Sequence, residues 1–370
     1  MEDKLVTVAI HTFEKAQILK TLLESEGIET YIHNVNLIQP VVSAGVRVRI
    51  KESDLPKALV IIEQMNLSLE DKNEIVDLGN NENKILVPVD FSDYSMKACD
   101  LAFNLAQSIG AEVVVLHAYY TPIYNNVLLM DAIPSSVKDD ESIIRIVKQA
   151  KADMENLTNL LKRKIDNGSL PNVKFTTILK DGIPEEEIIK FSKEYRPSIV
   201  FMGTRGKDRK ELDLIGSVTA EIIERSNIPV FAIPENNQLN DFNEVKNIAF
   251  TTNFEPKDLL AFEKLVELLQ PFKYKVHFVH IEQNKDAWNE IKLAGIKQYF
   301  NKQYPDLETD YILIQDKEIL TALDSFVKEK NIDIISLTTH KRNILSRLFN
   351  PSIARKMIFH ANTPMLIFHA

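Results

Sequence analysis

Apolar residues along this chain fall into two recurring patterns. In the first, short unbroken runs such as ILVPV (85–89), EVVVLHA (112–118), SIVFM (198–202) and PVFAI (229–233) lack polar alternation. Such runs suit strands buried on both faces. In the second, apolar residues return every three or four positions, as with Met96, Cys99, Ala102, Phe103 and Ala106. That spacing predicts a helix with one buried stripe. Taken in order from residue 84, the patterns predict a strand, a helix, a strand and a long helix over 141–166. A strand at KFTTILK, a helix over 184–194, the strand SIVFMG, a helix over 216–226 and the strand PVFAIP follow. Strands alternating with helices imply a parallel sheet with right-handed crossovers.

The opening residues read differently. LVTVAIH is a strand, and FEKAQILKTLLESEG is a helix ending at Gly27. IETYIHN and VRVRIKE are two further strands, and SDLPKALVIIEQM is a second helix with Ser53 as its N-cap. This β-α-β-β-α order predicts a small ferredoxin-like α+β domain.

The α/β pattern occurs twice. A shift of 163 residues lays KILVPVDFS on NIAFTTNFE, and FNLAQSIGAEVVVLH on VELLQPFKYKVHFVH. Further on the shift becomes 135, laying FSKEYRPSIVFMGT on FVKEKNIDIISLTT and SNIPVFAI on ANTPMLIF. Two constant offsets over so long a stretch indicate two copies of one domain, the second shortened by 28 residues between its second and third strands. The organisation that follows is a small domain at 1–67, a linker at 68–83, a first copy at 84–235, a linker at 236–246 and a second copy at 247–370.

Composition excludes several function classes. The chain has 370 residues and a net charge of -9, which argues against a nucleic-acid partner. A lone cysteine, Cys99, excludes a disulfide framework and a multi-cysteine zinc site, and its place on an apolar stripe marks it as inert core. Neither a secretory leader nor an apolar run of membrane-spanning length is apparent, so a cytoplasmic location is expected.

Glycine changes the picture most. There are only 10 in the chain, yet three fall in the segment GTRGKDRKELDLIGSV, residues 203–218. The spacing is Gly-x2-Gly-x9-Gly-Ser. It follows a buried strand and runs into a helix, which places it at the carboxyl end of a parallel sheet, where α/β folds bind ligands. Gly203 and Gly206 allow a backbone to approach an anion closely. Gly216 and Ser217 stand at a helix start, where free N–H groups favour phosphate. The spacing fits neither a Walker loop nor the dinucleotide G-x-G-x-x-G fingerprint.

VPVDFS at the first strand, Gly-x2-Gly-x9-Gly-Ser after the fourth, and the tandem arrangement together resemble the universal stress protein family. The resemblance is good over 84–235 and weaker over 246–370. It implies two doubly wound parallel sheets of five strands, each in the order 3-2-1-4-5. It also implies ATP as ligand, with AMP as an alternative and Mg2+ as a candidate companion. Carried over by position, Pro88, Val89 and Asp90 contact adenine, and His117 and Ala118 flank the base. Gly203, Gly206, Gly216, Ser217 and Val218 hold ribose and phosphates. The insertion over 121–141 is a candidate lid. In the second copy Thr338, Lys341 and Pro351 stand where the glycines would be, and Asn253 replaces Asp90; only Ser352 is kept, opposite Ser217. That copy is therefore expected to be a silent structural partner. Pairing of the two terminal strands, PVFAIP and PMLIFH, would join the copies within one chain.

Residues 4–66 resemble a bacterial family described only as putative signal-transducing. The expected function is a stress-response regulator that binds an adenine nucleotide, with homo-oligomerisation and a protein partner left open. A slow ATPase or nucleotide-dependent transferase, and a ligand-free scaffold, are the alternatives. His117 and His280 occupy equivalent strand ends, which favours packing. His277 and His280 face opposite sides of one strand, which argues against a shared metal.

Overall fold

The computed structural model describes residues 5–11, 13–33, 46–54, 57–58, 61, 83–121, 141–204, 217–234, 237–282, 287–316, 319–339 and 363–369. The chain divides into two compact units. One comprises Met1–Asn81, Ala118–Ala152 and Leu179–Glu187; the other comprises Glu82–His117, Asp153–Ile178 and Ile188–Ala370.

In the N-terminal region, β1 (Leu5–His11), α1 (Phe13–Ser25), β2 (Thr30–His33) and β3 (Val46–Lys51) form an antiparallel sheet of order β1-β3-β2 backed by α1. Ala16, Leu19 and Leu23 of α1 recur at helical spacing and are buried with Val48 and Ile50 of the central strand. Ala58 and Ile61 join the same core, in the region where the sequence predicts the second helix. The helix α1 ends in a left-handed turn at Gly27 (φ 77°), a conformation glycine adopts without a Cβ penalty.

The second architecture is a ten-stranded sheet. Its first half contains β4 (Lys84–Pro88), α2 (Asp93–Ile109), β5 (Glu112–Tyr119), α3 (Glu141–Asp166) and β6 (Phe175–Asp181). It continues with α4 (Pro184–Tyr195), β7 (Ile199–Gly203), α5 (Ser217–Arg225) and β8 (Val230–Ile233). The second half repeats the sequence of elements with β9 (Asn247–Thr251), α6 (Pro256–Leu268), β10 (Lys275–Glu282), α7 (Ala287–Gln303) and β11 (Glu308–Gln315). It closes with α8 (Ile319–Glu329), β12 (Ile334–Thr339) and β13 (Met365–His369). Strand order is β11-β10-β9-β12-β13-β8-β7-β4-β5-β6, so each half has the order 3-2-1-4-5 that the family resemblance implies. The pairings described within each half are parallel.

The halves meet at β8 and β13, which pair antiparallel with Ala232 opposite Met365 and Val230 opposite Ile367. The two five-strand sheets are thus one continuous sheet. Central strands are buried on both faces, as the apolar runs require: β7 and β8 have no exposed residue. The segment before β9 is packed. Asp241 caps a short 3-10 turn, and Phe242 (2% exposed) sits against Phe201 and Phe231 of the first half and Phe272 of the second. No described helix is long and apolar enough to cross a membrane.

Candidate functional site

The strand order reverses between β4 and β7. The helices that follow these two strands therefore depart in opposite directions, which opens a crevice at their carboxyl ends. Three strand ends lie side by side here: Pro88 of β4, His117 of β5, and Gly203 of β7.

At the end of β4 the chain turns sharply. Val89 donates its N–H to Leu116 O (2.8 Å), extending the pairing with β5 by one residue. Asp90 is half-buried. Its Oδ1 accepts from the Ser92 N–H (3.1 Å) and the Ser92 hydroxyl (2.5 Å). Ser92 is the N-cap of α2 and accepts from Ser95 N–H. A carboxylate two residues before the cap thus orders the loop and adds negative charge where the helix start favours it. Between them Phe91 takes a left-handed conformation (φ 60°), unusual for a residue with a bulky side chain. Its ring lies 4.4 Å from that of His117, whose Nδ1 is 2.7 Å from Val89 O. The His117 ring is buried and acts as a pin between two strand ends.

Gly203 ends β7 in ordinary backbone geometry. Its missing Cβ matters for another reason: a Cβ there would lie 2.8 Å from Tyr94 Cβ and 2.9 Å from the Tyr94 carbonyl carbon. The first turn of α2 therefore rests directly on the end of β7. Thr219, in the first turn of α5, donates its hydroxyl to Gly203 O (2.8 Å) and ties that helix start to the same strand end. Ser217 is the first residue of α5, and Val218 packs half-buried against the core. Gly206, Gly216 and the 122–140 part of the insertion lie outside the described residues. At the insertion's root, the Asp181 carboxylate accepts from the Thr121 N–H and hydroxyl (3.2 and 2.9 Å).

Sequence reasoning missed Ser92, Ser95, Tyr94 and Thr219 as parts of this crevice. The run DFSDYS carried a signal for the first two, since a serine ahead of a helical stripe is a capping pattern. Nothing in the sequence distinguished Tyr94 or Thr219.

The second half repeats the turn with altered chemistry. Phe254 again has φ 60°, its ring is 4.5 Å from His280, and His280 Nδ1 is 2.7 Å from Thr252 O. The organising carboxylate has moved. Asn253 stands at the strand end, and Asp258, three residues into the capping box, accepts from the Thr252 hydroxyl (2.8 Å), Asn253 N–H (2.9 Å) and Glu255 N–H (3.2 Å). Thr338 occupies the position of Gly203 and is buried.

Comparison with known proteins finds relatives for two parts of the chain. Residues 82–234 match the universal stress protein family, and residues 14–66 match a family described as putative prokaryotic signal transducing protein. Universal stress protein MJ0577 of Methanocaldococcus jannaschii is 30% identical over 162 residues, which are 42% of this chain and 96% of that protein. Universal stress protein YxiE of Bacillus subtilis is 30% identical over 151 residues, 41% of this chain and 98% of that protein. A crystal structure of a universal stress protein from Archaeoglobus fulgidus aligns over 78% of this chain and 99% of its own, with a TM-score of 0.60 at 17% identity. With relatives 30% identical and aligned almost from end to end, the chain belongs to the universal stress protein family.

Proposed function

We propose that this protein is a stress-response regulator whose first α/β half binds ATP, or AMP in its place, in the crevice between β4 and β7. The observation that carries this reading is the Gly-x2-Gly-x9-Gly-Ser segment, which leaves β7 at the strand-order reversal and leads into α5. The chemistry present fits an adenine nucleotide. Asp90 supplies an acceptor beside the end of β4 for an exocyclic amine. His117 and Ala118 border the base from β5, His117 through its backbone because its ring is buried. Gly203, Gly206, Gly216, Ser217 and Val218 supply N–H groups and the helix start for ribose and phosphates. In the second half, Thr338, Lys341 and Pro351 add Cβ atoms and remove a donor at the matching positions, so that half is a structural partner. The N-terminal domain is an output or second sensor.

Mass spectrometry of nucleotide released from the purified, denatured protein tests the reading. An adenine nucleotide near one equivalent is expected, and Gly206→Val is expected to lower ATP affinity at least tenfold. Unchanged ATP affinity in that variant would remove the glycine segment from the site. Incubation with labelled ATP and Mg2+ separates a binder from a slow hydrolase.

A further inference from the structure

The second half contains a cavity of about 180 Å3 on the α6 and α7 side of β9 and β10. Its walls are aromatic and aliphatic: Phe250 of β9, Phe278 of β10, and Ile296 and Phe300 of α7. Glu255 and Asp258, at the start of α6, also line it. Asp258 is 5% exposed. The three hydrogen bonds it accepts converge on Oδ2, and among the described residues its Oδ1 takes none. One oxygen of a buried carboxylate thus remains available in the lining of an apolar chamber.

The repeat shows that this combination is peculiar to the second half. The positions matching Phe250, Phe278 and Asp258 in the first half are Val87, Val115 and Ser95. Three substitutions therefore add two aromatic walls and a carboxylate to one spot. The capping box accounts for the Glu255 N–H bond at Oδ2, and the turn at the end of β9 for the other two; neither accounts for the aromatic walls or for the available Oδ1.

We propose that this cavity is a binding site for a small organic amine. The ammonium group donates to Asp258 Oδ1, with Glu255 adding negative charge to the lining. An aromatic or branched aliphatic body sits among the phenylalanines. A cavity of about 150 Å3 is large enough for benzene, so the occupant has roughly seven or eight non-hydrogen atoms. Aromatic faces favour the cation as well as the body. The site is independent of the nucleotide reading for the first half, and its failure would leave that reading untouched.

Titration calorimetry of the full-length chain with benzylamine, ethylbenzene and benzoate tests it. Ethylbenzene has the shape of benzylamine without the charge, and benzoate reverses the charge. Benzylamine is expected to bind saturably, ethylbenzene about tenfold or more weakly, in line with a lost charge-assisted hydrogen bond, and benzoate not at all. Asp258→Asn, which keeps an acceptor for the capping bonds, is expected to bring benzylamine down to the level of ethylbenzene. Ile296→Trp fills the chamber and is expected to abolish binding of both. Circular dichroism checks that each variant is folded, and if neither folds, the ranking of the three probes on the unaltered chain decides. Ethylbenzene binding as tightly as benzylamine, no saturable benzylamine binding, or a folded variant of either kind that binds benzylamine unchanged would each overturn the assignment.

Discussion

At the scale of single residues, the crevice in the first half depends on one absent methyl group. Gly203 does not need glycine for its own backbone angles; it needs it because the Tyr94 backbone lies where a Cβ would go. Gly203→Ala is therefore expected to cost about 1–3 kcal/mol, the usual range for overpacking against atoms that cannot rotate away, measured by urea denaturation. Cys99 presents the opposite situation. It is fully buried, and burial pushes its thiol well above the usual range. A thiol reagent is expected to modify it only at the rate of opening or unfolding, so labelling that is complete within seconds of mixing native protein would contradict this placement. Cys99 was readable from its place in the helical stripe. The contact at Gly203 was not, because it joins residues more than 100 positions apart.

At the scale of elements, two short features hold larger pieces in register. Phe242 lies in the segment that the sequence marks as a polar linker, yet its ring touches aromatic residues from both halves. Truncation to alanine, Phe242→Ala, is expected to cost about 3–5 kcal/mol, read from the denaturation midpoint. The linker reading rested on composition, and one buried aromatic residue among many polar ones is invisible to composition. The second feature is His277 on β10. Burial lowers its pKa from the ordinary 6.5, and the Asp310 carboxylate, 3.5 Å away, offsets part of that. With the folded value depressed, the unfolded chain takes up a proton first. Stability contributed by neutral His277 is thus present above the unfolded value and is lost as pH falls toward the folded one. Lowering pH from about 8 to about 5.5 should destabilise the protein more than it destabilises His277→Gln, by equilibrium unfolding at each pH.

At the scale of the molecule, the antiparallel β8–β13 junction sets the relation between the halves. Because strands run parallel within each half and antiparallel across the junction, their carboxyl ends lie on opposite rims of the sheet. The proposed nucleotide crevice and the second half's repeat of it therefore face away from one another, and neither can complete the other. ATP bound in the first half should raise the stability of the whole sheet. A ligand at about 100 times its Kd contributes about 2.7 kcal/mol, and a tenfold or greater loss of affinity in Gly206→Val should remove about half of that gain or more. Thermal unfolding with and without ATP reads this directly, and a second transition at unchanged temperature would mean that the halves unfold separately.

The strand order came only with the family resemblance, whereas the alternation of strands and helices in each half, the position of the glycine segment and the loss of its glycines in the second half were all present in the sequence. They depend on local patterns: buried runs, helical periodicity and residues with special backbone freedom. Two constant offsets then carried the first half's reading over to the second. The tertiary structure decided what depends on through-space contact. Tyr94 forbids a side chain at residue 203, Phe242 fastens a segment that composition marks as loose, and one available oxygen of Asp258 meets an aromatic chamber. Each of these joins residues far apart in the chain or turns on the orientation of a single carboxylate. Neither distance nor orientation is encoded in the spacing of residue types.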